Sequence, residues 1–430
     1  VKPNYQCFVI YLDALAKSRD PGAPEKAEAV LQRIEDLFAD TKDNSFDFNN
    51  YGYNLVVDAW SRSRGPNRAQ KSEEIIARMH QLHKKTGNRS LLPDKFSYSC
   101  LMNAVIKDRE EGFAEKCASI LTIMEQGDDR ISPDYVTYNT VINAFGRAKK
   151  PEQAVAILDR FENHDVIQPH ISCFNSALNA YGKSNRPDSA QKVLEILDRI
   201  EQTPDIVQPD TVTYSICIDA LARSGDRDRI RLAEDLYHRY IARHQQSKNS
   251  GDHRWELSPG LFNALMLVYV RSSLKDKVQK VLGVMKRMED LGTKPDRIAY
   301  NLLLGACSKT PDNVNDKIRK NTLEIAAKTF QHLQQTNGLY PDGISYNQLL
   351  WVCNLIGDPA ERRETITALF KSCCKDGHLS GTILGTLKVV SGNHFWTLIG
   401  KEGGRGRVEA HQLDPSWSRN DGKGRNRAWR

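Results

Sequence analysis

The chain has 430 residues, with 61 Lys+Arg against 54 Asp+Glu and a formal charge of +7. That length accommodates two or three globular units or one long repeat array, and 40% apolar against 27% charged residues excludes wholesale disorder. The longest apolar run, Ala264 to Val270, is far short of the ~20 residues a membrane helix needs, so no membrane partner is expected. Nine cysteines are too sparse for a disulfide framework, which suits a reducing compartment. The chain starts at Val1 without Met and is read as a fragment, with any targeting peptide outside it.

In chain order, an aromatic residue with apolar residues three, four and seven positions on recurs nine times, from Phe8, Tyr53, Tyr98, Tyr138, Phe174, Tyr214, Phe262, Tyr300 and Tyr346. Phe8, Tyr11, Leu12 and Leu15 form the first set, and Tyr138, Val141, Ile142 and Phe145 the fourth. At ~100° per residue these offsets fall on one helix stripe. A second helix with the same pattern follows each one, such as Ala154, Ile157, Leu158 and Phe161. Pro151 and Pro187 are expected at helix starts. Pro-Asp or a variant closes most units, as at Pro93-Asp94, Pro133-Asp134, Pro209-Asp210, Pro295-Asp296 and Pro341-Asp342. Such two-helix units cannot bury their apolar faces alone and must stack, which predicts an α-solenoid. Units are expected at 5–49, 50–94, 95–134, 135–170, 171–210, 211–258, 259–296, 297–342 and 343–378. A C-terminal capping helix at 379–400 and a flexible, basic, Gly/Arg-rich tail at 401–430 follow.

Three positions point away from the apolar stripe. Nine residues after the aromatic stand Lys17, Arg62, Lys107, Arg147, Lys183, Arg223, Arg271 and Lys309, then Leu355. Cations near a helix C-terminus complement its dipole. Their recurrence at one offset favours a second reading, a ladder of one positive charge per unit facing a polyanion backbone. Directly after the aromatic stand Val9, Asn54, Ser99, Asn139, Asn175, Ser215, Asn263, Asn301 and Asn347. Short polar residues of this kind either cap local backbone or meet the edge of an unstacked base. Two before the aromatic stand Tyr51, Phe96, Val136, Val212, Ile298 and Ile344, suited to packing at the helix start or to wedging between bases.

The run Asp134-Tyr135-Val136-Thr137-Tyr138-Asn139-Thr140-Val141-Ile142-Asn143-Ala144-Phe145 resembles the opening of a pentatricopeptide repeat, as does Asp210-Thr211-Val212-Thr213-Tyr214-Ser215. The resemblance extends over roughly residues 3–378. It implies an all-α fold, a right-handed α-solenoid superhelix of about nine helix-turn-helix repeats. It also implies single-stranded RNA binding in mitochondria or chloroplasts, one base per repeat, by a monomer. In that family the polar residue after the aromatic and the last residue of the repeat select the base together. The implied pairs are Val9 with Asn49, Asn54 with Asp94, Ser99 with Asp134, Asn139 with His170, Asn175 with Asp210, Ser215 with Ser258, Asn263 with Asp296, and Asn301 with Asp342. Asn347 has no clear partner. Asn with Asp implies uracil and Ser with Asp guanine, so the implied ligand is 5′-N-U-G-Y-U-N-U-U-Y-3′. Most units exceed the family's usual length, and the excess is expected in the loops 18–24, 311–318 and 245–256.

Signatures of catalysis are absent from the sequence: it has no CxxC, HExxH, P-loop or G-x-S-x-G. Cys373, Cys374 and His378 read as buried or inert groups rather than a metal site, and His80 and His83 as solvated surface. No cofactor, metal or enzymatic activity is expected. The rival to RNA binding is a helical scaffold that cradles protein partners.

Overall fold

The computed structural model describes residues 4–18, 20–40, 48–164, 166–184, 186–204, 206–247, 253–311, 313–336, 338–400 and 408–420. Among them all regular structure is helical, and the chain divides into two compact units, Val1–Gln208 and Pro209–Arg430. The first holds five helix pairs: α1 (Tyr5–Lys17) with α2 (Ala23–Asp40), α3 (Asn50–Arg62) with α4 (Arg68–Thr86), α5 (Lys95–Asp108) with α6 (Phe113–Glu125), α7 (Tyr135–Arg147) with α8 (Pro151–Glu162), and α9 (Ile171–Gly182) with α10 (Ser189–Gln202). The second holds four: α11 (Thr211–Arg223) with α12 (Arg229–Ser247), α13 (Pro259–Val270) with α14 (Lys277–Asp290), α15 (Arg297–Ser308) with α16 (Asp316–Gln335), and α17 (Gly343–Val352) with α18 (Pro359–Lys375). After these come α19 (Gly381–Ser391) and the single turn α20 (Phe395–Leu398).

Within each unit the first helix of a pair stacks on the first helix of the next pair: α1 on α3, α3 on α5, α7 on α9, and then α11, α13, α15, α17 and α19 in series. The aromatic stripe forms the seam. Tyr53, Tyr138, Tyr214 and Tyr346 are fully buried, as are Val141, Ile142, Ala154 and Phe161. A buried phenol needs a partner for its hydroxyl. Tyr53 Oη donates to Glu35 on α2 at 2.5 Å, and Arg78 on α4 grips the same carboxylate at 2.6 Å. Tyr138 repeats this with Glu125 on α6 at 2.6 Å, and Arg160 on α8 closes the triad. Each carboxylate thereby joins three helices from two successive pairs. Burial, then the adjacent Glu35, raises the Tyr53 pKa well above the usual phenol value, so the ring stays a donor.

Several expectations are corrected. In α1 the buried stripe is Val9, Leu12 and Ala16, while Tyr11 is exposed, because among the described residues only α2 and α3 cover this helix. Much of the extra unit length lies in long second helices rather than in loops. α4 and α12 have 19 residues and α16 has 20, against 12 in α8. Pro151 opens α8 as expected, but Pro187 sits in the turn before α10. The helix expected at 379–400 is broken at Gly392, whose φ of 55° an ordinary helix does not allow. The tail is not wholly free: Trp417 packs edge-on against Phe370, and its carbonyl accepts from Leu379 N–H at 2.8 Å. Residues 403–407 and the cations Lys423, Arg425, Arg427 and Arg430 lie outside the described residues.

Replacing Glu125 with Ala strands the Tyr138 hydroxyl and unpairs Arg160. It is expected to cost about 1–3 kcal/mol, read as a lower urea midpoint. An unchanged midpoint would show that the triad contributes nothing to stacking.

Candidate nucleic-acid interface

The residue closing each unit caps the next first helix. Asn49, Asp94, Asp134, Asp210, Asp296 and Asp342 have extended backbone and accept backbone N–H from the second or third helical residue. His170 does so through Nδ1, whereas Ser258 makes no side-chain cap. At Asp94, Asp134, Asp210 and Asp342 a Ser or Thr three residues on completes a capping box: Ser97, Thr137, Thr213 and Ser345. The closing residues therefore carry the capping role. The Asn or Ser after the aromatic lies a turn further in.

Three of the implied pairs meet directly. Asn54 Nδ2 donates to both oxygens of Asp94 at 3.1 Å. Asn263 Nδ2 donates to Asp296 and Asn301 Nδ2 to Asp342, each at 3.1 Å. These carboxamides sit between successive first helices, with Asn54 only 4% and Asn263 9% exposed. The other pairs do not show this bond. Ser99 and Ser215 turn back to the carbonyls of Lys95 and Thr211, at 2.8 and 2.7 Å. Asp134 instead takes Lys95 Nζ at 2.8 Å. His170 stacks on Tyr135 at 4.4 Å, while the Asn139 carboxamide oxygen accepts from Ser176 at 2.6 Å. Val9 is buried, and its partner Asn49 accepts from Tyr5 Oη at 3.1 Å. Asn347 accepts from Thr386 on α19 at 2.7 Å. Asn175 and Asp210 fall in different compact units. Sequence reasoning missed the hydroxyls of Ser97 and Ser345, which donate to the carboxamide oxygens of Asn54 and Asn301 at 2.5 and 2.6 Å, although Ser or Thr directly before the aromatic recurs at 97, 137, 213 and 345.

Tyr51, Phe96, Val136, Val212, Ile298 and Ile344 are all 42–55% exposed. Packing at the helix start would bury them. A recurring half-exposed apolar side chain on the first turn is instead a surface ready to cover something flat and apolar.

None of the eight cations is buried. Neighbours along the column sense one another. Lys107 Nζ reaches the carbonyl of Ser61 beside Arg62, at 2.5 Å. Partial burial, then Arg68 and Arg62 among its neighbours, hold the Lys107 pKa below the usual lysine value. Burial, then Arg271, does the same for Lys309. Arg147 is exposed and has no ion pair among the described residues. The sequence reading overlooked a counter-charge: Lys17, Arg62 and Arg223 each pair with an Asp one turn earlier (Asp13, Asp58 and Asp219) at 2.7–2.9 Å. The corresponding residues for the other five cations are Asn103, Asn143, Asn179, Leu267 and Gly305, which leaves no carboxylate there.

Cys373 and Cys374 are buried, and burial pushes the Cys374 thiol up to about 12. His80 is exposed, and His83 Nδ1 meets the carbonyl of Asn88 at 2.9 Å. No group of three or more His, Cys, Asp or Glu among the described residues is placed to hold a metal ion.

Residues 119–184 and 257–310 match the family profile of the pentatricopeptide repeat domain, and residues 172–199 match that of the PPR repeat. No curated protein matches the chain significantly. Among solved structures it is similar to the pentatricopeptide repeat protein PPR10 from maize, at 20% identity over 93% of this chain and 54% of that one, with a TM-score of 0.49. It is also similar to PPR10 in complex with an 18-nt psaJ RNA element, at 18% identity over 95% of this chain and 56% of that one, with a TM-score of 0.48. The chain thus spans about half the length of these structures. The family profiles thus fall on helix pairs of both compact units, and over those residues the chain carries pentatricopeptide repeats.

Proposed function

We propose that the protein binds single-stranded RNA sequence-selectively, one base per repeat, without catalysis. It would act in mitochondrial or chloroplast RNA processing, stability or translation, an assignment that rests on the family. The observation carrying the RNA reading is the coincidence of three features on the first helices. These are a half-exposed apolar residue on the first turn, an Asn held by the Asp of the next boundary, and a cation near the last turn. The apolar residues stack on bases. The polar residues meet base edges, and the cations meet phosphates. The base-selecting residues in this reading are Asn54, Asp94, Ser99, Asp134, Asn139, His170, Asn175, Asp210, Ser215, Ser258, Asn263, Asp296, Asn301, Asp342 and Asn347. Lys17, Arg62, Lys107, Arg147, Lys183, Arg223, Arg271 and Lys309 take the phosphates.

Salt dependence tests the ladder. With a slope of about −0.7 per phosphate contact, log K against log salt falls with slope about −5.6 when all eight cations engage. If Asp13, Asp58 and Asp219 keep their partners, five contacts give about −3.5. A slope near −1 on RNA of the implied sequence would refute the ladder. Displacement of that RNA by protein partners would favour the scaffold reading.

Alkaline pH adds a second test. A lysine whose pKa is lowered loses its charge before an ordinary lysine does, so Lys107 and Lys309 are the first phosphate contacts to fail as pH rises. RNA affinity of the wild-type chain is therefore expected to weaken as pH rises toward the ordinary lysine value of 10.5, ahead of the loss of ordinary lysine contacts. The double variant Lys107→Arg/Lys309→Arg should hold its affinity better, since arginine stays charged there. Fluorescence anisotropy reads both. Identical pH profiles would remove these two lysines from the interface.

A further inference from the structure

Asn reads a base by the orientation of its carboxamide, because rotating it by half a turn exchanges donor for acceptor. Uracil and cytosine differ in the same sense, N3–H and O4 in one against N3 and N4–H in the other. Whatever fixes the carboxamide therefore decides between the two pyrimidines.

At Asn54 two groups of the next repeat fix it. Asp94 accepts from Nδ2, and Ser97 Oγ donates to Oδ1 at 2.5 Å. Ser97 Oγ also accepts from the Asp94 backbone N–H at 3.1 Å, and of the two acceptors in its reach, Asn54 Oδ1 at 2.5 Å and Asp94 Oδ1 at 3.1 Å, the nearer carboxamide oxygen takes its single proton. Asn301 repeats the arrangement: Asp342 takes Nδ2, Ser345 Oγ donates to Oδ1 at 2.6 Å, and the Asp342 N–H donates to Ser345 Oγ at 3.1 Å. Asn139 and Asn347 also have a hydroxyl on Oδ1, from Ser176 and Thr386. Asn263 differs. The residue matching Ser97 and Ser345 is Ala299, and Asn263 Oδ1 is buried with no hydrogen-bond partner among the described residues. Its carboxamide is held at one end only.

We propose that the hydroxyl directly before the aromatic of the next repeat is a positioning residue. Ser97 and Ser345 lock the carboxamides of Asn54 and Asn301 for uracil, and Ala299 leaves the repeat of Asn263 permissive between uracil and cytosine. This role rests on the RNA reading above. It adds a residue to the pairs of Asn54 and Asn301, and that residue lies in the following repeat.

The test uses the full chain and synthetic RNA 9-mers of the implied sequence, with U or C at one letter at a time. The wild-type U-over-C affinity ratio is expected to be about three- to tenfold smaller at the Asn263 letter than at the Asn301 letter, the worth of one hydrogen bond. Ala299→Ser raises the ratio at the Asn263 letter alone. Ser345→Ala lowers it at the Asn301 letter alone, while Ser345→Thr, which keeps the hydroxyl, preserves it. Ser345 also caps α17, so general destabilisation would weaken all letters equally, and that uniform loss would overturn the proposal. Selective binding with U:C ratios untouched by all three variants would overturn it too, leaving the RNA reading intact. A free-protein measurement judges the lock separately. Exchange of the Asn263 side-chain amide protons, in ¹⁵N-Asn-labelled protein, should slow in Ala299→Ser; unchanged exchange contradicts the lock. No RNA binding by the wild-type chain would overturn the RNA reading and the positioning role with it.

Discussion

The boundary carboxylate is the interaction on which the arrangement depends. A stack of helix pairs must satisfy the free N–H groups at the start of every first helix, close to the preceding first helix. Asp94, Asp296 and Asp342 meet that need and accept from the Asn of the preceding repeat with the same side chain. Capping, stacking and the placement of the Asn carboxamide are thus one contact. Changing the closing residue alters helix stability and the neighbouring repeat together.

Electrostatics set a second constraint. Like charges repeated at one offset within each unit repel, and the protein tempers this unevenly. Lys17, Arg62 and Arg223 carry their own Asp, while Lys107 and Lys309 are left with a lowered affinity for protons. Of these i,i+4 pairs Lys17–Asp13 is exposed and worth only a few tenths of a kcal/mol, while Asp58 and Asp219 are more buried. Each unit thus holds cations already relieved and cations that a polyanion would relieve.

The helix pairs were legible because 3.6-residue periodicity survives at nine sites, and the buried tyrosines follow it. The first pair departs, since Phe8 and Tyr11 match the pattern while Val9 and Ala16 fill the core. Periodicity gives a stripe, whereas burial depends on which neighbours are present. Unit lengths were legible, but sequence alone did not divide loop from helix in 68–86 or 316–335, where solvated charged residues extend the second helices. Of the site, the exposed apolar residues and the cations could be read directly from spacing. The hydroxyl partners could not, because Ser97 and Ser345 resemble ordinary capping residues until the preceding Asn lies against them.

In vitro selection from a random RNA pool tests most directly whether the repeats read bases in series. The account predicts an enriched single-stranded motif with guanine directly after the uracil of Asn54 and two successive pyrimidine letters for Asn263 and Asn301. Recovery of no shared motif, or of purines at the Asn263 and Asn301 letters, would contradict it.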